Sequence, residues 1–304
     1  MARLTATAML LTCVTLPVLA SEQGHTLCTR PADSRSAWVT HATLAGVPAI
    51  LRVPAHIGKP PIILWHGFGP PASEAAMMDA LPLDDVDAVK VYLGLPLFGA
   101  RAPAGGMKEL ARRQSDDVGL QVFKPVVVGA GDELPAVVAA LKDGGCMQQG
   151  GSVSLVGFSA GGAAALYAMA QGRVPVNAAV LINTSVGLSA SVQAYEHATG
   201  KNYAWSPASR TLAAQTDAVA RASDIARNHP ALLFLSGTDD AVVDAGAIAK
   251  AYASLQPHYS SSRAKLQSKT LPNMSHQWAN DAASRDSVRA AVADWFNHSP
   301  TVPQ

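Results

Sequence analysis

The sequence predicts an α/β fold: a mostly parallel, twisted sheet of about eight strands, with helices on both faces and a small helical lid. Short apolar runs that end in glycine or a turn residue recur along the chain, as buried parallel strands do. Between them lie segments with apolar residues at helical spacing, and this alternation is typical of right-handed crossovers. A content of 49% hydrophobic and 15% charged residues excludes intrinsic disorder.

The elements are predicted in a definite order along the chain. The strands cover 36–54, as a hairpin turning at Ala45-Gly46, then 62–65, 88–96, 152–157, 178–183, 231–237 and 265–271. The helices cover 132–142 with Asp132 as cap, 161–171, 244–255 and a closing helix that places Val288, Ala291, Val292, Trp295 and Phe296 on one face. The polar stretch 185–230 is predicted to form a lid of one or two helices, with 191–210 as its most irregular part. Because no linker interrupts residues 21–304, they are predicted to form a single domain.

The first residues are typical of a secretory signal peptide. Arg3 precedes a mostly apolar run, 4–20, that ends in small residues before the polar Ser21. We expect cleavage between Ala20 and Ser21, so that residues 1–20 are removed and the mature protein is exported, either periplasmic or extracellular. An N-terminal core helix and a membrane anchor are the alternatives, although the run is short for a span of about 20 residues.

Export changes the interpretation of the three cysteines. Cys13 leaves with the signal peptide, and the mature chain keeps Cys28 and Cys146. An even pair in an oxidising compartment favours a disulfide bond. Two buried, unpaired cysteines remain the alternative.

Charge and histidine placement restrict the partners. The chain has 23 Lys and Arg against 22 Asp and Glu, without the excess of cations that a nucleic-acid-binding protein carries. Its nine histidines are scattered, and no pair has the spacing of metal ligands. We therefore expect no nucleic acid, no metal, no cofactor and no membrane span after signal removal; the sequence leaves the oligomeric state open.

A serine stands where a strand gives way to a helix. Gly157-Phe158-Ser159-Ala160-Gly161 has the pattern G-x-S-x-G, between a predicted strand and an alanine-rich helix. Small flanking residues let such a turn close, which lifts the hydroxyl above the sheet and near the positive end of the helix. The sequence predicts that Ser159 is a nucleophile; a helix-capping serine is the alternative.

On these residues the mature chain resembles the α/β-hydrolases over nearly its whole length. The resemblance implies an acid after a later strand and then a histidine, in that order. The family's acid loop corresponds to the segment after Gly237 and implies Asp240 as the acid, with the adjacent Asp239 as the alternative. The histidine is predicted to be His276, before the last helix; His258 precedes the expected last strand and His298 lies in the terminal helix or tail.

The resemblance also implies an oxyanion hole. His66-Gly67-Phe68-Gly69 follows a predicted strand where the family carries a His-Gly loop. A tetrahedral oxyanion needs two backbone N–H donors, and we expect them from Phe68 and Ala160. His66 is expected to hold the loop by hydrogen bonds, without a catalytic role.

These residues predict a secreted serine hydrolase that cleaves a carboxylic ester with a small or medium acyl group, through a Ser-His-Asp triad and an acyl-enzyme. The alternatives are a serine peptidase or amidase of the same fold, and a non-catalytic binding member. Aromatic residues are expected to line an apolar pocket: Phe68, Phe98, Tyr195, Tyr203 and Trp205.

Overall fold

Eight strands form the centre of the protein. The computed structural model describes residues 26–29, 37–260 and 265–299, so the predicted signal peptide with Cys13 lies outside the described residues. The strands of the described chain are β1 Trp38–Leu44, β2 Val47–Val53, β3 Ile62–Trp65, β4 Lys90–Leu93, β5 Val153–Phe158, β6 Val176–Ile182, β7 Ala231–Asp239 and β8 Leu266–Ser275. They form one sheet in the order β1-β2-β4-β3-β5-β6-β7-β8. The predicted mostly parallel sheet is confirmed.

The direction of the strands explains where a site can form. β2 pairs antiparallel with both β1 and β4, whereas the pairs from β4 through β8 are parallel. The chain order reverses on either side of β3, because β4 lies on one side of it and β5 on the other. At such a switch point the loops after neighbouring strands diverge and leave a crevice at the carboxyl edge of the sheet. The loops after β3 and β5 carry His66 and Ser159.

Helices cover both faces of the sheet. The α-helices of the described residues are α1 Glu74–Ala80, α2 Gly106–Asp117, α3 Gly129–Asp143, α4 Ala160–Gln171, α5 Leu188–Thr199, α6 Pro207–Thr216, α7 Ala222–Ile225, α8 Ala245–Tyr259 and α9 Ala282–His298. Two short 3₁₀ turns lie at Gly99–Arg101 and Trp278–Asn280, and a π-helix lies at Val118–Val128.

The hydrophobic core lies in layers on the two faces of the sheet, because side chains alternate between the faces along each strand. Successive β3 residues point to opposite faces, so Ile63 and Trp65 pack with α3 and α4, while Ile62 and Leu64 pack with α1 and α9. All four side chains are fully buried, which explains why the strand reads as a continuous apolar run. The sheet is therefore a rigid support for its carboxyl edge.

The helical structure before residue 132 was not predicted, whereas the predicted helix 132–142 lies within α3. No helix was predicted at α2 or in the π-helix, because α2 is polar and Pro125 interrupts the apolar run that follows it. The π-helix accommodates Pro125 in wider turns, and Gly129 N–H reaches back five residues to Lys124 O. Helix α3 consequently begins at Gly129, so Asp132 lies in its first turn and is not its cap.

The segment 185–230 contains three helices, α5 to α7, where one or two were predicted. Much of the stretch predicted to be irregular is regular, since 191–199 belong to α5 and 207–210 to α6. Of the helices in the described residues, none is long and apolar enough to cross a membrane.

A disulfide joins Cys28 to Cys146, whose Cα atoms lie 5.1 Å apart. It ties the 26–29 segment to the turn between α3 and β5, at the edge of the sheet away from Ser159. The predicted pairing of these two cysteines is confirmed.

Candidate active site

Ser159 lies on a strained turn between β5 and α4. Its backbone has φ 53° and ψ −114°, a conformation that residues with a side chain rarely adopt. Hydrogen bonds hold it there: Ser159 N–H donates to Ile182 O at 3.0 Å, and Ser159 O accepts from the N–H groups of Ala163 and Ser185, at 3.2 Å each. The turn therefore presents the serine hydroxyl at the carboxyl edge of the sheet.

Glycines make this turn possible by allowing close backbone approach. A Cβ on Gly161 would lie 2.5 Å from the carbonyl oxygens of Trp65 and His66, closer than side-chain carbons come to backbone atoms. A Cβ on Gly157 would overlap the backbone of Gly161. The small residues of the G-x-S-x-G pattern thus bring the first turn of α4 directly onto the end of β3.

His276 lies on the loop after β8 and reaches the serine. Its Nε2 is 3.1 Å from Ser159 Oγ, so the hydroxyl can donate to the imidazole. The ring is mostly buried, and its centroid lies 5.1 Å from that of Phe158. His258 and His298, the histidines considered less favourable from the sequence, lie in α8 and α9.

Asp240 completes the chain of hydrogen bonds. Nδ1 of His276 lies 2.9 Å from Asp240 Oδ2, and Oδ1 accepts from the N–H groups of Val242 at 2.8 Å and Val243 at 3.0 Å. Both oxygens are occupied and the side chain is 5% exposed, so the carboxylate is held in one orientation. The alternative acid, Asp239, is exposed and accepts from Thr238 Oγ1 instead.

The loop after β3 lies against the serine. A Cβ on Gly67 would come within 2.7 Å of the Phe158 ring and 3.1 Å of Ser159 Cβ. Within the described residues, the amides of Phe68 and Ala160 donate to no backbone or side-chain acceptor. The amide of Ala160 is one of the free donors at the start of α4, and a helix N-terminus favours negative charge.

His66 holds this loop in place. Leu95 N–H donates to its Nε2 at 3.2 Å, so the proton is on Nδ1, which donates to Gly67 O at 2.7 Å. The ring is fully buried, and this burial lowers its pKa and favours the neutral form. Its hydrogen bonds are those expected of a residue that supports the loop.

A cleft of about 340 Å³ opens beside Ser159. Helix α5 forms one wall with Leu188, Val192 and Tyr195, and the π-helix contributes Val118 and Phe123. Of the described residues that line it, none is Asp, Glu, Lys or Arg; the polar ones carry hydroxyl or amide groups, such as Gln114. The cleft therefore suits an apolar, uncharged group.

The aromatic residues predicted to line the pocket divide into two sets. Phe68 and Tyr195 line the cleft, and Phe98 stacks on Phe68 with ring centroids 5.0 Å apart. The prediction was wrong for Phe98, which lies behind Phe68, and for Tyr203 and Trp205, which pack on each other beside the π-helix. There Tyr203 OH donates to Asp117 Oδ1 at 2.6 Å. Tyr203 and Trp205 support a wall of the cleft from outside.

One wall of this cleft was not predicted from the sequence. The π-helix was not predicted, and Val118 and Phe123 were not assigned to the site. The repeated apolar residues of 118–128 were a signal of burial, but the wide turns that aim them at Ser159 leave no distinct pattern in the sequence.

The sequence of the chain matches a known protein family. Residues 130–300, more than half of the chain, match the sequence profile of the prolyl oligopeptidase family. The chain belongs to this family. Members of the prolyl oligopeptidase family are hydrolases, and the matched part includes Ser159, Asp240 and His276. No curated protein matches the chain.

Solved structures show the α/β-hydrolase fold of this prolyl oligopeptidase family member. TT1662 from Thermus thermophilus is 19% identical, with TM-score 0.62 over 86% of this chain and 98% of that chain. An esterase/lipase from an uncultured bacterium is 16% identical, with TM-score 0.52 over 90% of this chain and 88% of that one. A puromycin-hydrolyzing peptidase of Mycobacterium tuberculosis is 18% identical, with TM-score 0.60 over 88% of this chain and 40% of that peptidase.

Proposed function

We propose that the protein is an exported serine hydrolase that cleaves carboxylic esters with an apolar, uncharged acyl group. The observation that carries the proposal is the hydrogen-bonded chain Asp240–His276–Ser159 at the mouth of a cleft without charged side chains. For export we retain cleavage after Ala20, and the disulfide is compatible with it.

The proposed chemistry follows from where protons and charge can go. His276 takes the proton of Ser159 as Oγ bonds to the acyl carbon, and Asp240 orients the ring and stabilises the imidazolium. The amides of Phe68 and Ala160 donate to the oxyanion. The alcohol leaves with the proton from His276, and water then attacks the acyl-enzyme, with His276 again as base. The bond from the acyl carbon to Ser159 Oγ breaks as His276 returns the proton to Oγ, and the carboxylic acid is released.

The lining of the cleft favours an ester with a neutral acyl chain. A charged group placed there would lose its hydration without gaining a partner, which costs several kcal/mol. An exopeptidase that recognises a free peptide end needs an opposite charge for the ammonium or carboxylate group, and among the described residues that line this cleft there is no Asp, Glu, Lys or Arg. We propose that α5, within 185–230, acts as a lid that sets the length of the acyl chain.

A second candidate, hydrolysis of an amide or peptide bond, is favoured by the family match over residues 130–300. The same residues would serve, because His276 can protonate a leaving amine as it does an alcohol. The uncharged cleft then predicts an internal or blocked peptide rather than one with a free amino end.

A substrate panel tests the two candidates. p-Nitrophenyl acetate, butyrate, hexanoate and octanoate are compared with free and N-blocked aminoacyl p-nitroanilides. We expect esters to react faster, with kcat/KM rising up to about fourfold per methylene until the cleft is filled. Anilides cleaved faster than every ester would replace the first candidate with the second.

Two variants test the roles of the serine and the cleft. Ser159→Ala should lower kcat by about 10³- to 10⁶-fold. Ala194→Leu adds bulk to the α5 wall and should impair octanoate more than acetate, whereas Gln193→Leu, at the neighbouring exposed position outside the cleft lining, should change neither. Equal effects of the two leucine variants would contradict the proposal that this cleft holds the acyl chain.

A further inference from the structure

The chain that leaves β6 contacts the segments that carry all three candidate triad residues. Ile182 and Ser185 bond to the backbone of Ser159 on either side, at 3.0 and 3.2 Å. Between them Asn183 N–H donates to Leu235 O at 2.9 Å, which extends the pairing with the strand that leads to Asp240. Residues 182–185, here called the exit segment, therefore lie between Ser159 and β7. Since β7 leads to Asp240, we call it the acid strand.

The side chain of Asn183 joins β7, which leads to Asp240, to the end of β8 and His276. Its Nδ2 donates to Ser275 O at 3.1 Å and to His276 O at 3.4 Å, while its Oδ1 accepts from Gly237 N–H at 2.9 Å. The residue is fully buried, so these bonds are shielded from water. One amide group thus holds the backbone of His276 against the strand that precedes Asp240.

The backbone conformation of Asn183 restricts which residue types can occupy this position. Its φ is +41°, in the left-handed region where asparagine is tolerated better than most residues with a side chain. The two strands that it joins are also in close contact, because a Cβ on Gly237 in β7 would overlap Met274 O in β8. A larger side chain at Asn183 or at Gly237 would separate the loop that carries His276 from the strand that leads to Asp240.

We propose that Asn183 is a positioning residue: through Ser275 and His276 it sets the distance of the imidazole from both Ser159 and Asp240. The inference rests on the proposed function of these three residues. His276 must satisfy two hydrogen bonds at once, at 3.1 and 2.9 Å, and its backbone position decides whether it can. Misplacement of a catalytic group by about 1 Å costs on the order of 10²-fold in rate.

Two variants separate the parts of the Asn183 contact. Asn183→Gly removes all three side-chain hydrogen bonds but accepts the positive φ without strain. Asn183→Asp keeps the size and the oxygen that faces Gly237, but it replaces the donating NH2 group by an oxygen and so turns a negative charge toward the carbonyl oxygens of Ser275 and His276. It also serves as the test if the glycine variant does not fold. We expect kcat to fall about 10- to 100-fold in the first and at least about tenfold in the second, with KM within about twofold of wild type.

The main readout does not depend on the substrate. A fluorophosphonate reacts only with an activated serine, so its labelling rate at Ser159 should fall in parallel with kcat. Tyr259→Phe is the matched control, because it deletes a buried hydrogen bond to Pro230 O, 2.7 Å long, before β7 at the opposite edge of the sheet. It should lower Tm and leave the labelling rate unchanged.

The outcomes are distinct. Labelling and kcat within twofold of wild type in both Asn183 variants, or an equal loss in Tyr259→Phe, would overturn the positioning role. A wild-type protein that is labelled but hydrolyses no ester would overturn the ester proposal, and the labelling comparison would still decide the role of Asn183. A wild-type protein that is not labelled would overturn both.

Discussion

Ser159 Oγ lies 3.1 Å from His276 Nε2, although 117 residues separate the two along the chain. The parallel sheet creates this proximity, because the strands leading to Ser159, Asp240 and His276 all end at the same edge. Each of the three loops begins where a strand pairing ends, so the sheet and not the loops sets their spacing.

The identity of the acid is the first prediction. In Asp240→Asn the group facing Nδ1 of His276 becomes an amide, which favours the wrong tautomer of the imidazole. We expect kcat to fall about 10²- to 10⁴-fold. Asp239→Asn, a change of the adjacent exposed residue, should stay within about threefold of wild type. Steady-state kinetics with one reactive ester measures both, and the opposite ranking would transfer the role to Asp239.

Close backbone contact around Ser159 gives the second prediction. A Cβ on Gly161 would press on the carbonyl oxygens of Trp65 and His66, so Gly161→Ala must push α4 away from the His66 loop. We expect a loss of about 1–3 kcal/mol in the free energy of unfolding and about 10- to 100-fold in kcat. Urea unfolding and ester kinetics measure the two effects. Gly150→Ala is the control, since nothing lies within 4 Å of a Cβ there; a fully active, stable Gly161→Ala would contradict the packing argument.

The parts of the site that sequence predicts are those tied to a local pattern. Ser159 has the small residues that a tight turn needs, and the order acid-then-histidine restricts Asp240 and His276 to the ends of later strands. Asn183 has no such signal: a single asparagine at a strand end has the same appearance whether it faces solvent or holds two loops. Its role depends on the pairing of β6 with β7 and on the contact between Gly237 and Met274, which only the folded chain brings about.

For the fold as well, the sequence predicts some elements and misses others. Buried strands such as β3 are apolar on both faces and are visible as short continuous runs. The helical region before α3 was not predicted, because the polarity of α2 and the proline of the π-helix contradict the usual helical pattern. Gln114, Val118 and Phe123, which line one side of the cleft, come from that region, and the sequence therefore did not predict the shape of the cleft.

The disulfide gives the third prediction. Cys28 and Cys146 are 118 residues apart in sequence, so the bond closes a long loop and restricts the unfolded chain strongly. Replacing both cysteines with serine should lower the free energy of unfolding by about 2–5 kcal/mol. Because the bond lies at the edge away from Ser159, kcat below the melting transition should not change. Calorimetry and kinetics on the double variant measure this, and an unchanged Tm would contradict it.

A buried lysine gives the fourth prediction. Lys90, at the start of β4, is fully buried and donates from Nζ to Val86 O at 3.0 Å. Burial lowers its pKa from the ordinary 10.5 to about 8, against the opposing effect of the Asp84 carboxylate. Lys90→Met removes the charge and keeps a similar shape, and Val86 O still accepts from Ala88 N–H at 2.8 Å.

The sign of the pH effect follows from which state of the protein holds the proton. Below pH 8, Lys90 is charged in both the folded and the unfolded state, and burial of the charge lowers stability. Between pH 8 and 10.5 the folded state loses the proton that the unfolded state still binds, so the contribution of Lys90 to the free energy of unfolding rises with pH. Lys90→Met should therefore be more stable than wild type at pH 7, by up to about 3 kcal/mol, and this advantage should shrink toward pH 10.5. Urea unfolding of both proteins across that range isolates the effect, because all other groups titrate in both; an advantage that stays constant or grows with pH would contradict it.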